Sequence, residues 1–197
     1  MSEELPRRPR APKGGGARLR EDILTASTML LEHATVEPSV RAIAQQVGVS
    51  PAAIYLHFPD KSTLLHEAAS RQVLAALDAL RGDADLATIV STLLTMARNS
   101  PVAYRLAFLS SPATGGGGPR PVFAAYSAVR AAVARTAPAV DVNLLSAVVV
   151  GATTGFTTLA VADPEGPWPS LDRLGDLLSR IVEGAFDHAI GGASPKA

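Results

Sequence analysis

An all-α fold follows from three features of the chain. Alanine, the residue with the best intrinsic helix propensity, occurs 35 times, whereas aromatic residues, which favour strands, make up only 5%. Apolar residues recur at spacings of three and four along most of the sequence, the period of one helix face. Clusters of Pro, Gly, Ser and Asp interrupt that period as helix caps and turns do. With 47% of its 197 residues apolar, the chain can bury a sizeable core, enough for one domain or two small ones sharing it.

The elements read off in order. Leu19, Ile23, Ala26, Leu30 and Ala34 form one stripe, broken by Glu37-Pro38. Ser39 stands where an N-cap belongs, and Val40 to Val47 is a short helix stopped by Gly48. Ser50-Pro51 supplies a second cap with a first-turn proline, opening a helix to about His57. Asp60 caps a helix from Lys61 towards Arg81, with Leu64, Leu65, Ala68, Val73 and Leu77 on its apolar side. Asp85 caps the next, to Asn99, and Ser100-Pro101 restarts the chain to Leu109. Residues 110–119, with glycines 115–118, are the clearest internal loop. Val122, Tyr126, Val129 and Val133 make a further stripe, ended by Pro138. An uncharged stretch from Val142 to Ala162 follows, then a Pro- and Gly-rich turn. Leu171, Leu174, Leu178, Ile181, Ala185 and Ala189 make the last amphipathic helix. Nine helices and no strand are expected.

Composition excludes several functions. The absence of cysteine removes disulfides, thiolate-bound metals, iron–sulfur clusters and thiol nucleophiles. His33, His57, His66 and His188 show no HxxxH or HExxH spacing, so no local metal motif exists. No acid/base pair clusters, and the glycine run lacks the Lys-Ser/Thr of a phosphate-binding loop. No metal, cofactor or catalytic residue is therefore expected. Equal numbers of acidic and basic side chains, 18 each, rule out a uniformly basic coat but not a local patch.

Residues 1–18 form an arm rich in Pro and Gly, expected to be disordered in isolation. Arg7, Arg8 and Arg10 belong to a basic cluster at this end, which also includes Lys13, Arg18 and Arg20. It is either a solvated tail or an arm that seeks phosphates. No apolar run follows Met1, so no secretory signal is expected. The uncharged 21-residue stretch is long enough for a bilayer, but it carries Asn143, Ser146 and four threonines, and is flanked by Asp141 and Asp163 rather than by Lys or Arg. It reads instead as a helix buried in a bundle or subunit interface, where Gly151 and Gly155, four apart, either let a second backbone approach or are simply small residues tolerated in a core.

The chemistry sits between Ser39 and Lys61. Two helices shorter than ten residues meet at Val47-Gly48-Val49-Ser50, and Gly48 permits the left-handed backbone such a turn needs. Ile43, Val47, Val49 and Ile54 supply a shared core, and Ala44 is small where the second helix packs. This is a helix-turn-helix, whose second helix enters the DNA major groove. The sequence Ile54-Tyr55-Leu56-His57-Phe58, followed by Asp60-Lys61-Ser62-Thr63-Leu64-Leu65, resembles the Tyr-x-His-Phe and Lys-x-x-Leu-Leu signature of the tetracycline-repressor (TetR) family. The resemblance in motifs covers about residues 19 to 70. Beyond it, only helix number, lengths and order agree.

The resemblance implies residue roles. Tyr55 and Lys61 match family positions that hold phosphates. Ser39 and Ser50, at their caps, present hydroxyls to the DNA backbone, contacts that set register rather than sequence. Arg41 matches a position that can reach a guanine, where a bidentate arginine is the commonest specific contact. Ala52 and Ala53 on the recognition helix can touch thymine methyls only. His57 either donates to a phosphate or packs between helices. The arm's arginines gain a minor-groove reading.

The remaining expectations concern residues 66–197, a ligand-binding and dimerisation domain behind a DNA-binding domain of residues 19–65. One helix-turn-helix per chain implies a homodimer on a palindromic operator of double-stranded DNA. Its interface is expected from the last two helices, with Gly151, Gly155, Leu174, Leu178, Ile181 and Ala185. The resemblance implies a ligand cavity enclosed by helices four to seven, where Met96, Tyr104, Phe108, Phe123 and Tyr126, with Phe156 nearby on helix eight, would suit a hydrophobic small molecule, and Arg105 and Thr153 could orient a polar group. These same residues can equally be ordinary core. The expected function is a cytoplasmic, ligand-responsive repressor that is not an enzyme. The alternative is a small-molecule-binding protein or structural dimer whose helix-turn-helix no longer reads specific DNA.

Overall fold

The structure, a computed structural model, describes residues 15–80, 82–109, 120–136, 140–163 and 165–191, without the side chains of 179, 182, 183 and 185–191. Over these residues it is built of nine helices: α1 (Gly15–Leu31), α2 (Val40–Val47), α3 (Pro51–Tyr55), α4 (Lys61–Ala79), α5 (Leu86–Asn99), α6 (Pro101–Leu109), α7 (Pro121–Thr136), α8 (Val142–Ala162) and α9 (Leu171–Gly191). The arm carrying Arg7, Arg8 and Arg10 and the loop with glycines 115–118 lie outside the described residues.

The caps act as the side-chain chemistry requires. The hydroxyls of Ser39 and Ser50 accept from the N–H groups of Ala42 and Ala53, at 3.1 and 3.3 Å. Asp60 accepts from the Thr63 N–H at 2.6 Å and Asp85 from the Thr88 N–H at 2.7 Å. Asp141 caps α8 in the same way through Leu144. Gly48 ends α2 at φ +78°, and the N–H groups of Gly48 and Val49 both bond the Ala44 carbonyl at 2.9 Å, closing the turn. Helix α1 starts at Gly15, four residues before its apolar stripe, and α3 ends at Tyr55, two residues earlier than expected.

Two apolar clusters fill the molecule. The first joins α1 to α4 through Ile23, Leu24, Leu31, Ile43, Ile54, Phe58, Leu64 and Leu65. It does not stop at the end of the helix-turn-helix. Val73 of α4 and Val102, Ala103 and Leu106 of α6 belong to the same cluster. The second holds Leu93, Leu94, Tyr104, Val129, Val133, Val149, Leu174 and Leu178, from α5 to α9. Leu77, Met96 and Phe108 touch both. The boundary near residue 65 is thus a change of architecture within continuous packing.

Helix α8 departs from the expectation of a helix buried on nearly every side. Ser146, Val149, Val150, Thr153 and Thr157 face inward. Leu144, Val148, Gly151, Gly155 and Leu159, spaced four, three, four and four apart, form an open stripe along the other side. By length and composition α8 could cross a membrane, but its inward face is packed on α5, α6 and α7 of this chain.

Candidate nucleic-acid interface and sensing core

Helices α2 and α3 expose several of the side chains singled out from the sequence. Arg41 extends from the exposed side of α2 and makes no ion pair among the described residues. Tyr55 and Leu56, 52% and 83% exposed, project from the end of α3 although both are large, while Ile54, just before them, is 1% exposed. A surface that leaves a leucine so open is either unpaired or made to meet a partner. Ala52 is exposed and Ala53 half-buried, so the face of α3 is smooth and carries no donor/acceptor code except the Tyr55 phenol. Ser39 and Ser50 use their oxygens as helix-cap acceptors, which leaves each O–H to donate outward. His57 is half-buried against the start of α1, 3.7 Å from where a side chain at Gly16 would begin.

Lys61 is not a bare cation. Its ammonium donates to Glu37 Oε2 at 3.2 Å, and Arg105 of α6 donates to Oε1 of the same carboxylate at 2.9 Å. The hydrogen bond from Arg105, with help from Lys61, holds the Glu37 carboxyl below the usual carboxylate range. Glu37 therefore joins the loop ahead of α2, the first residue of α4 and the middle of α6. Two histidines add links between the same regions. His33, in left-handed backbone at φ +57°, donates through Nδ1 to the Asn99 carbonyl at the end of α5 (3.2 Å). His66 of α4 donates through Nδ1 to the Leu106 carbonyl of α6 (2.9 Å), which leaves Nε2 to accept from Ser70 (3.5 Å).

Arg20, read from sequence as part of a basic arm, is a structural residue. It lies on α1, donates to both oxygens of Glu67 on α4 at 2.7 and 2.8 Å, and stacks over the Phe58 ring at 4.8 Å. Neither Arg20–Glu67 nor the Glu37 bridge left a signal in the sequence, because the partners stand 24 to 68 residues apart and only the fold brings them together.

The residues assigned to a ligand pocket fall into two groups. Tyr104 is buried at 1% exposure, its ring 4.6 Å from that of Phe108, and Met96 and Phe108 pack at the junction of the two clusters. Thr153 is buried and donates to the Val149 carbonyl at 2.7 Å, and Phe156 lies edge-on to Trp168 at 6.4 Å. The others point outward. Arg105 is engaged by Glu37, Phe123 is 58% exposed beneath Arg120, and the Tyr126 hydroxyl reaches the surface at Asn143. Among the interface candidates, Leu174 and Leu178 need correction. They are 4% and 3% exposed within their own chain, because that side of α9 packs on α5. Among the described residues, the large apolar side chains that α9 exposes are Leu177 and Ile181. Gly151 and Gly155 have open space where a side chain would begin. The side chain of Ala185 lies outside the described residues.

Residues 23–68, spanning most of α1 through the first part of α4, match the model of the tetR family of bacterial regulatory proteins. Over these residues the chain is similar to that family. Its whole fold agrees with solved structures at low identity. A putative transcriptional regulator from Streptomyces coelicolor A3(2) superposes with a TM-score of 0.59 at 19% identity, over 89% of this chain and 98% of that one. The transcriptional regulator FadR from Bacillus subtilis, solved with stearoyl-CoA, gives 0.57 at 15% identity, over 82% and 96%. No curated protein matches the sequence. The matched family consists of bacterial regulatory proteins, and the matched residues include all of α2 and α3.

Proposed function

We propose that this TetR-family chain is a cytoplasmic repressor that binds a palindromic operator as a homodimer and is released by a hydrophobic small molecule. The observation that carries the reading is the pairing of two unfinished surfaces on one chain. A single helix-turn-helix leaves Arg41, Tyr55 and Leu56 open, and α8 and α9 leave Leu144, Val148, Gly151, Gly155, Leu159, Leu177 and Ile181 open. A continuous apolar stripe interrupted by two glycines suits close crossing with the same stripe of a second copy, which would present two heads to one duplex. Ser39, Ser50, Tyr55 and Lys61 would hold phosphates, with Arg41 reading bases. The buried aromatic residues at the junction of the clusters support an apolar ligand whose binding is felt by both.

Sedimentation of the protein alone and on operator DNA tests this. The expected result is a dimer in solution and two chains per duplex. A monomer that binds a half-site with full affinity would overturn it.

A further inference from the structure

One carboxylate stands between two cations that belong to different parts of the molecule. Glu37, in the loop ahead of α2, accepts from Arg105 of α6 at 2.9 Å on Oε1 and from Lys61 of α4 at 3.2 Å on Oε2. Both carboxylate oxygens are thus occupied, each by one cation. The hydrogen bond from Arg105 is the largest influence holding this carboxyl below its ordinary range, so Glu37 is ionised at neutral pH.

The loop that carries Glu37 is anchored to the α5–α6 corner. Pro38 confines the Glu37 backbone to extended conformations. A few residues earlier, His33 bonds the Asn99 carbonyl at the end of α5, next to the start of α6. Lys61 is the adaptable member of the trio, a compact ammonium on a flexible four-carbon stem. It opens α4 directly behind the helix-turn-helix.

Charge decides what Lys61 can do. Lys61, Arg105 and Glu37 together carry one net positive charge. Without Arg105, the remaining pair would be neutral. A phosphate could then recruit Lys61 only by taking the last partner of Glu37, leaving a carboxylate with a side chain 34% exposed unpaired beside another anion. With Arg105 in place, Glu37 keeps a charged partner when Lys61 leaves it.

We infer that Arg105 is a positioning residue for DNA binding, which holds Glu37 so that Lys61 can turn to a phosphate. The inference rests on the reading of α2, α3 and Lys61 as the DNA-binding surface. It gives Arg105, on a helix outside the helix-turn-helix, a role that needs no contact of its own with DNA.

Affinity of the full chain for random-sequence duplex DNA tests it, because phosphate contacts do not depend on sequence. At about 0.15 M salt, charges farther than about 8 Å from the phosphates are largely screened. Arg105→Gln and, separately, Arg105→Met, which keeps an aliphatic stem, should each weaken binding about threefold or more. Arg105→Lys should bind as the wild type does, because a single guanidinium nitrogen makes the contact to Glu37. In the Glu37→Gln background, Arg105→Gln should leave affinity unchanged, because no carboxylate is left to hold. Unchanged affinity in both charge-removing variants, an equal loss with and without Glu37, or a loss that persists in Arg105→Lys would each overturn the proposal. The second of these results would mean that Arg105 meets the DNA itself. A wild type that binds no duplex even at low salt removes the DNA-binding reading and the proposal with it. A wild type that binds duplex with an affinity indifferent to Arg105 removes the proposal alone.

Discussion

On the proposed function, sequence reading falls to Arg41 because α3 offers so little for it. Of the side chains that α3 exposes, only Tyr55 can make a hydrogen bond, so most direct readout must come from one arginine on α2 and the remainder from DNA shape. Lys61, by contrast, has no access to sequence information. Lys61→Ala is expected to weaken binding to operator and random DNA by the same factor. It should reduce the salt slope of the dimer by about 2, since each lost phosphate contact removes ~0.9. Affinity measured across a salt series checks this. Glu37→Gln acts in the other direction. Removing a carboxylate from beside Lys61 frees the ammonium and removes a negative charge near the phosphates, so affinity at low salt should rise a few-fold. The same variant has a pH signature. The Glu37 pKa is lowered on folding, so the stability its pairs add is present above the ordinary value of 4.5 and is lost as pH falls through the lowered one. The Tm values of wild type and Glu37→Gln should differ at pH 7 and converge at acid pH. Because these side chains are about a third exposed, the difference will be modest. Gly48 was legible as a left-handed turn from its place between two short helices, and nothing stands within 4 Å of where a Cβ would go. Gly48→Ala should therefore cost only the backbone strain, about 1–2 kcal/mol, read as a lower Tm.

Among the helices, α8 and α9 show what periodicity can and cannot deliver. Caps and breakers placed the helix ends because Ser39, Ser50, Asp60, Asp85 and Asp141 act locally, through N–H groups three residues away. The inward and outward faces of α9 were not legible in the same way. Leu174 and Leu178 are four apart, and so are Leu177 and Ile181, so both sides of the helix carry an apolar pair. Only the packing of α9 on α5 shows that the first pair is core and the second is open. The open stripe of α8 predicts that Val148→Glu, which places a carboxylate on an exposed apolar face, leaves the fold of the chain intact. The same change should convert a dimer to a monomer and lower operator affinity at least tenfold. Sedimentation and DNA titration of the one variant check both effects.

At the scale of the whole molecule, the helix-turn-helix and the helices behind it are joined by packing and by a few polar bridges. Leu77, Met96 and Phe108 contribute to both apolar clusters, and Glu37, His33 and His66 connect the head and α4 to α5 and α6. The helix-turn-helix was legible because its chemistry is local: caps, a glycine turn and the Tyr-x-His-Phe run. The bridges were not, because each depends on residues brought together from distant elements. The central claim is that this chain reads a specific operator as a dimer through Arg41. Selection of binding sites from random duplex DNA, with wild type and Arg41→Ala side by side, tests it most directly. The account predicts an inverted repeat whose half-sites are separated by about one helical turn, with preference flattened in each half-site by the variant. Enrichment of no site, or of one identical in the two proteins, would contradict it.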